Sequence, residues 1–159
     1  MLLFLNMACS VENNISDEEY KRVISQIVQT MIDEKKQIFI DEYVPTKEKL
    51  LIATYGTDDI SDGEKAGFYE EIVPITAFLE NELSSSFDFT KNHLKRKDIE
   101  KLDRVEIVDI KDEQINNIAS RNIYCEIYDD GKVFKIEVLG LYKTDAGWMI
   151  MSDVAPGYF

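Results

Sequence analysis

The stretch Ile123-Tyr124-Cys125-Glu126-Ile127-Tyr128-Asp129-Asp130-Gly131 decides the fold. Ile123, Cys125 and Ile127 alternate with Tyr124, Glu126 and Tyr128, the period of two that sends one set of side chains to each face of a strand. Asp130-Gly131 follows, and residues of this kind accept the positive φ of a tight turn whose twist matches its flanking strands. A hairpin is therefore predicted, with Phe134, Ile136, Val138 and Tyr142 on one face of its second arm. Thr144-Asp145-Ala146-Gly147 supplies the next turn, and Trp148, Ile150 and Val154 begin a last strand. Val105 to Ile110 predicts an earlier one.

Upstream the period becomes helical. Ser16-Asp17-Glu18-Glu19 has the form of a capping box, and Tyr20, Val23, Ile24, Ile27, Val28, Met31 and Ile32 recur at helical spacing behind it. Ile38 and Phe39 prolong the stripe until Val44-Pro45 disfavours further helix, so one long first helix is expected. Residues 46–54 read as a short helix around Leu50, Leu51 and Ile52, and Gly56 to Gly63 as an acidic loop. Ser61-Asp62-Gly63-Glu64 repeats the capping box, and Phe68, Tyr69, Ile72, Val73, Ala77, Phe78, Leu79 and Leu83 give a second long helix its apolar face. Pro74 predicts a kink or break near residues 70–74, because it lacks an N–H and crowds the preceding turn. Ser84-Ser85-Ser86 reads as the end of that helix, with residues 87–101 left without an assigned form.

The expected fold class is α+β: N-terminal helices packed on one face of a curved C-terminal antiparallel meander of about four strands. No internal repeat or linker divides the chain. Residues 16–159 are read as one domain, and residues 1–15 as the remnant of a signal and a tether.

Charge narrows the partners. The 159 residues include 31 acidic and 18 basic ones, a formal charge of −13 that repels phosphate backbones and argues against nucleic acid. The basic run Lys91, His93, Lys95, Arg96 and Lys97 is followed by Asp98 and Glu100, the pattern of a solvated face or loop. Two cysteines are too few for a disulfide framework, and Cys125, inside a strand, reads as a small buried hydrophobe.

The N-terminus has two open readings. Met1-Leu2-Leu3-Phe4-Leu5-Asn6-Met7-Ala8-Cys9-Ser10 is far shorter than the roughly 20 apolar residues of a membrane span. An apolar run ending in Ala8-Cys9 is similar to the close of a bacterial lipoprotein signal. That resemblance implies a lipidated Cys9 in the cell envelope, with Ser10 to Ser16 as tether. It departs from the pattern in having no basic residue before Lys21, and in placing Asn6 where Leu is usual. On the other reading residues 1 to 9 form a short apolar arm packed on a cytoplasmic domain.

Sites for chemistry are sparse. His93 is the single histidine and sits in the basic stretch, which favours a surface position over a catalytic base and makes a zinc site improbable. Asp58, Asp59, Asp62 and Glu64 lack the spacing and distal Glu of a calcium loop. No phosphate cradle or nucleophile elbow occurs, so no catalytic residue, metal or cofactor is assigned. Tyr124, Tyr128, Tyr142 and Trp148 belong to one sheet region as the strands are read, and aromatics with polar tips line ligand pockets as well as cores.

The closing run Val138-Leu139-Gly140-Leu141-Tyr142-Lys143-Thr144-Asp145-Ala146-Gly147-Trp148-Met149-Ile150 resembles the final hairpin of NTF2-like (cystatin-like, SnoaL-type) domains. The resemblance implies a cone with an apolar pocket between helices and sheet, in a superfamily of isomerases, dehydratases, ligand binders, secretion-system parts and lipoproteins. Fold alone cannot choose among these. The leading expectation is a noncatalytic module that binds a small ligand or a protein, tethered through Cys9. One alternative is a small isomerase or dehydratase with a carboxylate and a Tyr inside the cone. Another is an acidic immunity protein that blocks a basic toxin, suggested by size and charge. A homodimer through the sheet is a further expectation about partners.

Overall fold

A computed structural model of the chain describes residues 15–56, 60–115 and 118–159. In order these form α1 (Asp17–Ile32), α2 (Lys36–Tyr43), α3 (Lys47–Tyr55), α4 (Asp62–Arg96), β1 (Arg104–Ile115), β2 (Ile118–Asp129), β3 (Lys132–Thr144) and β4 (Gly147–Pro156). The strands pair antiparallel in the order β1-β2-β3-β4, the predicted meander. Cys9, Asp58 and Asp59 lie outside the described residues.

Both predicted capping boxes start helices. The Ser16 hydroxyl accepts from the Glu19 N–H at 3.3 Å, and at Ser61 the box is reciprocal, with Glu64 accepting from the Ser61 N–H at 3.1 Å. The expected long first helix is two helices. Glu34 adopts a left-handed φ of 58°, and the Lys35 N–H turns back to the Thr30 carbonyl at 2.8 Å. The apolar stripe crosses this turn unbroken in sequence, but Ile38 falls on the surface while Phe39 enters the core against Phe87, with ring centroids 5.2 Å apart.

The second correction concerns α4, which runs past Ser84–Ser86 to Arg96. Leu83, Phe87, Thr90 and Leu94 are buried at intervals of four, three and four, so tertiary burial continues the helix through residues of modest propensity. Ser85 Oγ satisfies itself on the Asn81 carbonyl at 2.9 Å. The helix is also unbroken at Pro74, which lies on the exposed face where water can take the carbonyl bond that proline cannot.

Asp130 (φ 46°) and Gly131 (φ 79°) form the predicted hairpin turn. All three ladders carry register shifts, and bulges of this kind bend a sheet. The shift at Gly140 corrects a third expectation. Gly140 has φ 71°, and its N–H donates to Asn122 Oδ1 at 2.8 Å. The extra residue flips the alternation, so Leu141 joins Phe134, Ile136 and Val138 in the main core and Tyr142 turns to the opposite face. A Cβ on Gly140 would lie 2.9 Å from Ile115 Cδ1 and 3.1 Å from Met151 Cβ.

The main core lies between one face of the sheet and α1, α2 and the C-terminal half of α4. Ile24, Ile27, Met31, Phe39, Leu83 and Phe87 meet Ile123, Cys125, Ile127, Ile136 and Ile150 there. Full burial of each such side chain contributes roughly 1.5–3 kcal/mol. Contrary to the one-faced expectation, the other face is partly covered too. Leu50 of α3 and Ile72 of α4 pack on Ile118, Met149 and Met151 at one corner.

Candidate functional site

The four aromatics singled out from the sequence occupy separate surroundings. Tyr124 and Tyr128 point away from the main core. Tyr124 meets Phe159 edge-on at 5.5 Å beneath the Lys111 ammonium, and Tyr128 lies under the Arg104 guanidinium at 3.8 Å. The Tyr128 hydroxyl donates to Glu126 at 2.8 Å with Glu106 at 3.1 Å as a second acceptor within reach, and these carboxylates raise the phenol above its ordinary range. Tyr142 packs on the second cluster, while Trp148 sits at the rim of the main core, 5.8 Å from the ring of Tyr20. None of the four lines either cleft described below.

Trp148 belongs to a charged rim that the sequence did not reveal, because its members are far apart in the chain. Arg121 donates to Asp112 at 2.9 Å and to the Tyr20 hydroxyl at 3.0 Å, and the Lys143 ammonium bonds Glu19. Burial raises the Tyr20 phenol, partly offset by Arg121. These contacts tie α1 to the sheet. Asp112 is 86% exposed, so it lacks the apolar enclosure that makes a carboxylate a useful base.

Between helices and sheet the buried apolar side chains form one packed cluster. Among the described residues no buried side-chain nitrogen or oxygen lacks a hydrogen-bond partner. The buried carboxylate Asp129 is spent on backbone, accepting from the N–H groups of Glu100 at 2.7 Å and Lys101 at 3.2 Å. Cys125 packs in the core, where burial pushes its thiol upward in pKa. His93 lies in the last turn of α4 with its ring tilted against Phe89, the centroids 4.3 Å apart. Asp62 and Glu64 serve the start of α4, the Ser61 hydroxyl holding Glu64 below the usual carboxylate range. The described residues include no group of three or more His, Cys, Asp or Glu placed to hold a metal, and no helix long and apolar enough to cross a membrane.

One surface departs from the solvated norm. Around Pro74, α4 exposes Val73 at 54%, Ile75 at 42% and Phe78 at 61%. Clefts flank this ridge on both sides. One of about 310 Å³ is lined by Phe78, Leu79 and Glu82 together with Met151 and Asp153 of β4. The other, of about 480 Å³, runs between Thr76 and Glu80 and the α2–α3 corner at Ile40, Asp41, Val44 and Glu48. The rims are mainly acidic, through Asp41, Glu48, Glu80, Glu82 and Asp153, with Lys47 among them. The sequence carried the ridge as core, since Val73 and Phe78 share the helical stripe with Ile72 and Leu79. No protein-family model, no curated protein and no solved structure matches this chain, so these surfaces carry the functional reading.

Proposed function

We propose that the domain is a noncatalytic protein-binding module whose docking element is the apolar ridge of α4. The observation that carries the reading is the exposed Phe78, one helical turn beyond the exposed Ile75, on a helix flanked by two clefts with acidic rims. Apolar side chains clustered on an otherwise charged surface mark interaction sites. Their acidic surround favours a partner with an apolar groove edged by Lys or Arg. The packed apolar cluster between helices and sheet weighs against a small ligand held there. The buried carboxylate among the described residues, Asp129, is held by backbone N–H groups, which weighs against an isomerase or dehydratase that needs a free carboxylate inside an apolar cavity. The immunity reading uses the same surface, with a basic toxin as the partner.

The reading extends to an NTF2-like form, supported by the order of helices and bent meander, with the packed interior as a departure from a pocketed cone. It also extends to a tether through Cys9, supported by the Ala8-Cys9 junction behind Leu-Leu-Phe-Leu. A photoreactive residue at Phe78, introduced in the producing cell, is expected to cross-link to a discrete protein, and Phe78→Ser to abolish its co-purification. Undiminished binding by Phe78→Ser would sink the ridge. Thermal-shift screening with small metabolites is expected to leave the melting point unchanged. Intact mass of the membrane fraction tests the anchor: a chain beginning at Cys9 with added diacylglycerol supports it, and unmodified Cys9 in the soluble fraction removes it.

A further inference from the structure

The two edges of the sheet are β1 and β4. Among the described residues the helices donate no hydrogen bond to the backbone of β1, which runs from Arg104 to Ile115, and the side chain that does is Ser120 Oγ of the paired strand β2, to the Glu113 carbonyl at 3.4 Å. An open edge this long pairs readily with another strand unless its side chains forbid it. On β1 the side chains select one partner.

Ile107 pairs with Cys125 and Asp109 with Tyr124, so Val108 is the extra residue of a bulge. Val108 is 53% exposed. The bulge moves Ile110 to the core-side face that Val105 and Ile107 share, while Arg104, Glu106, Asp109, Lys111 and Glu113 share the other face. In a regular strand a two-fold axis between Val108 and Asp109 would set every side chain against one on the wrong face. With one bulge at that axis in each copy, the faces match along the whole strand.

We infer that β1 pairs antiparallel with β1 of a second copy about a two-fold axis between Val108 and Asp109. In that register Arg104 faces the partner's Glu113 and Glu106 faces the partner's Lys111, each pair occurring twice by symmetry. Ile107 faces the partner's Ile110 on the core side. Opposite charges directly across an antiparallel pair stabilise it, and like charges destabilise it. Slipping the register one way sets Arg104 against Lys111 and Glu106 against Asp109. Slipping it the other way sets Glu106 against Glu113. The register with matched faces is also the one with opposed charges. Because β1 lies at the opposite edge of the sheet from β4 and α4, the dimer carries two ridges facing outward, which gives the proposed module two binding sites per assembly.

The test uses the full chain and three variants in sedimentation velocity and native mass spectrometry. The unmodified chain is expected to be dimeric at about 100 µM. Glu106→Lys and Lys111→Glu each create two like-charged pairs and are expected to weaken association at least about tenfold. The double variant restores opposed pairs and is expected to dimerise again. A monomeric unmodified chain, singles that dimerise as well as it does, or a double variant that stays monomeric would each overturn the inference. Hydrogen exchange on the unmodified chain gives an independent reading: β1 amides are expected to gain protection with concentration, and concentration-independent exchange there counts against it. Dimerisation that survives Phe78→Ser keeps this result separable from the ridge proposal.

Discussion

β4 and β1 close the same sheet in opposite ways. Along β4, α3 and α4 supply side chains that take up the strand's carbonyls: Thr90 Oγ1 donates to Val154 at 2.8 Å and Lys49 Nζ to Trp148 at 3.3 Å. The Lys49 ammonium also bonds the Glu42 carbonyl near the C-terminus of α2, where the helix dipole favours a cation. Burial nonetheless lowers the Lys49 pKa. Among the described residues no helix side chain donates to a β1 carbonyl, and the exposed side of the strand carries charges of both signs instead. An edge finished from within gives up binding capacity for stability, and an edge left open keeps that capacity under the control of its charges.

Breaking the covered side should cost the most. Phe87→Ala is expected to lower unfolding free energy by about 3–5 kcal/mol in urea titration, because Phe87 is fully buried where α4 meets Phe39. A loss under about 1 kcal/mol would mean that this half of α4 is not core. Gly140→Ala is expected to cost about 2 kcal/mol, since the added Cβ meets Ile115 and Met151 at a left-handed φ. Thr90→Val leaves the Val154 carbonyl without its donor and is expected to cost about 1–2 kcal/mol. An unchanged midpoint would show that β4 does not need this cover.

Acid separates the same regions more gently. Lys36 holds Asp88 of α4 below the usual carboxylate range, and the Asp130 N–H does the same for Asp103 at the entry to β1. A carboxyl group whose folded pKa is depressed stabilises the fold above its unfolded pKa near 4, and loses that contribution as pH falls through the lower folded value. Melting points are therefore expected to be flat at neutral pH and to drop below about pH 4. Asp88→Asn should reduce the drop. The smallest effect on folding is expected on the open edge. Lys111→Glu should change monomer stability by less than about 0.5 kcal/mol while weakening the dimer. A large folding effect there would end the contrast between the edges.

Local pattern made much of this architecture legible before any coordinates. Ser16 and Ser61 announced their helices through bonds made within one turn, and Asp130-Gly131 announced its hairpin through the φ values those residues tolerate. The alternation from Ile123 to Ile127 sorted two faces correctly, because a period of two is a property of the strand itself. What failed was the assumption that such patterns continue. The stripe over Ile38 hid the turn at Glu34, and the triplet Ser84–Ser86 hid the buried continuation to Leu94.

The candidate surfaces were less legible, for a related reason. A ridge is apolar in sequence just as a core stripe is. Phe78 and Leu79 differ only in which side of α4 they occupy, and the side of Leu79 is buried. The sequence alone determined the succession of helices and then strands, the two serine caps, the turns at Asp130-Gly131 and Thr144–Gly147, and the acidic charge, through composition and neighbours within a few residues. Tertiary structure alone decided that the bulges fall at Val108 and Gly140, that Tyr142 leaves the core face, and that β4 is covered while β1 stays open. Those outcomes depend on contacts between residues distant in the chain, where packing and hydrogen-bond satisfaction outweigh local preference.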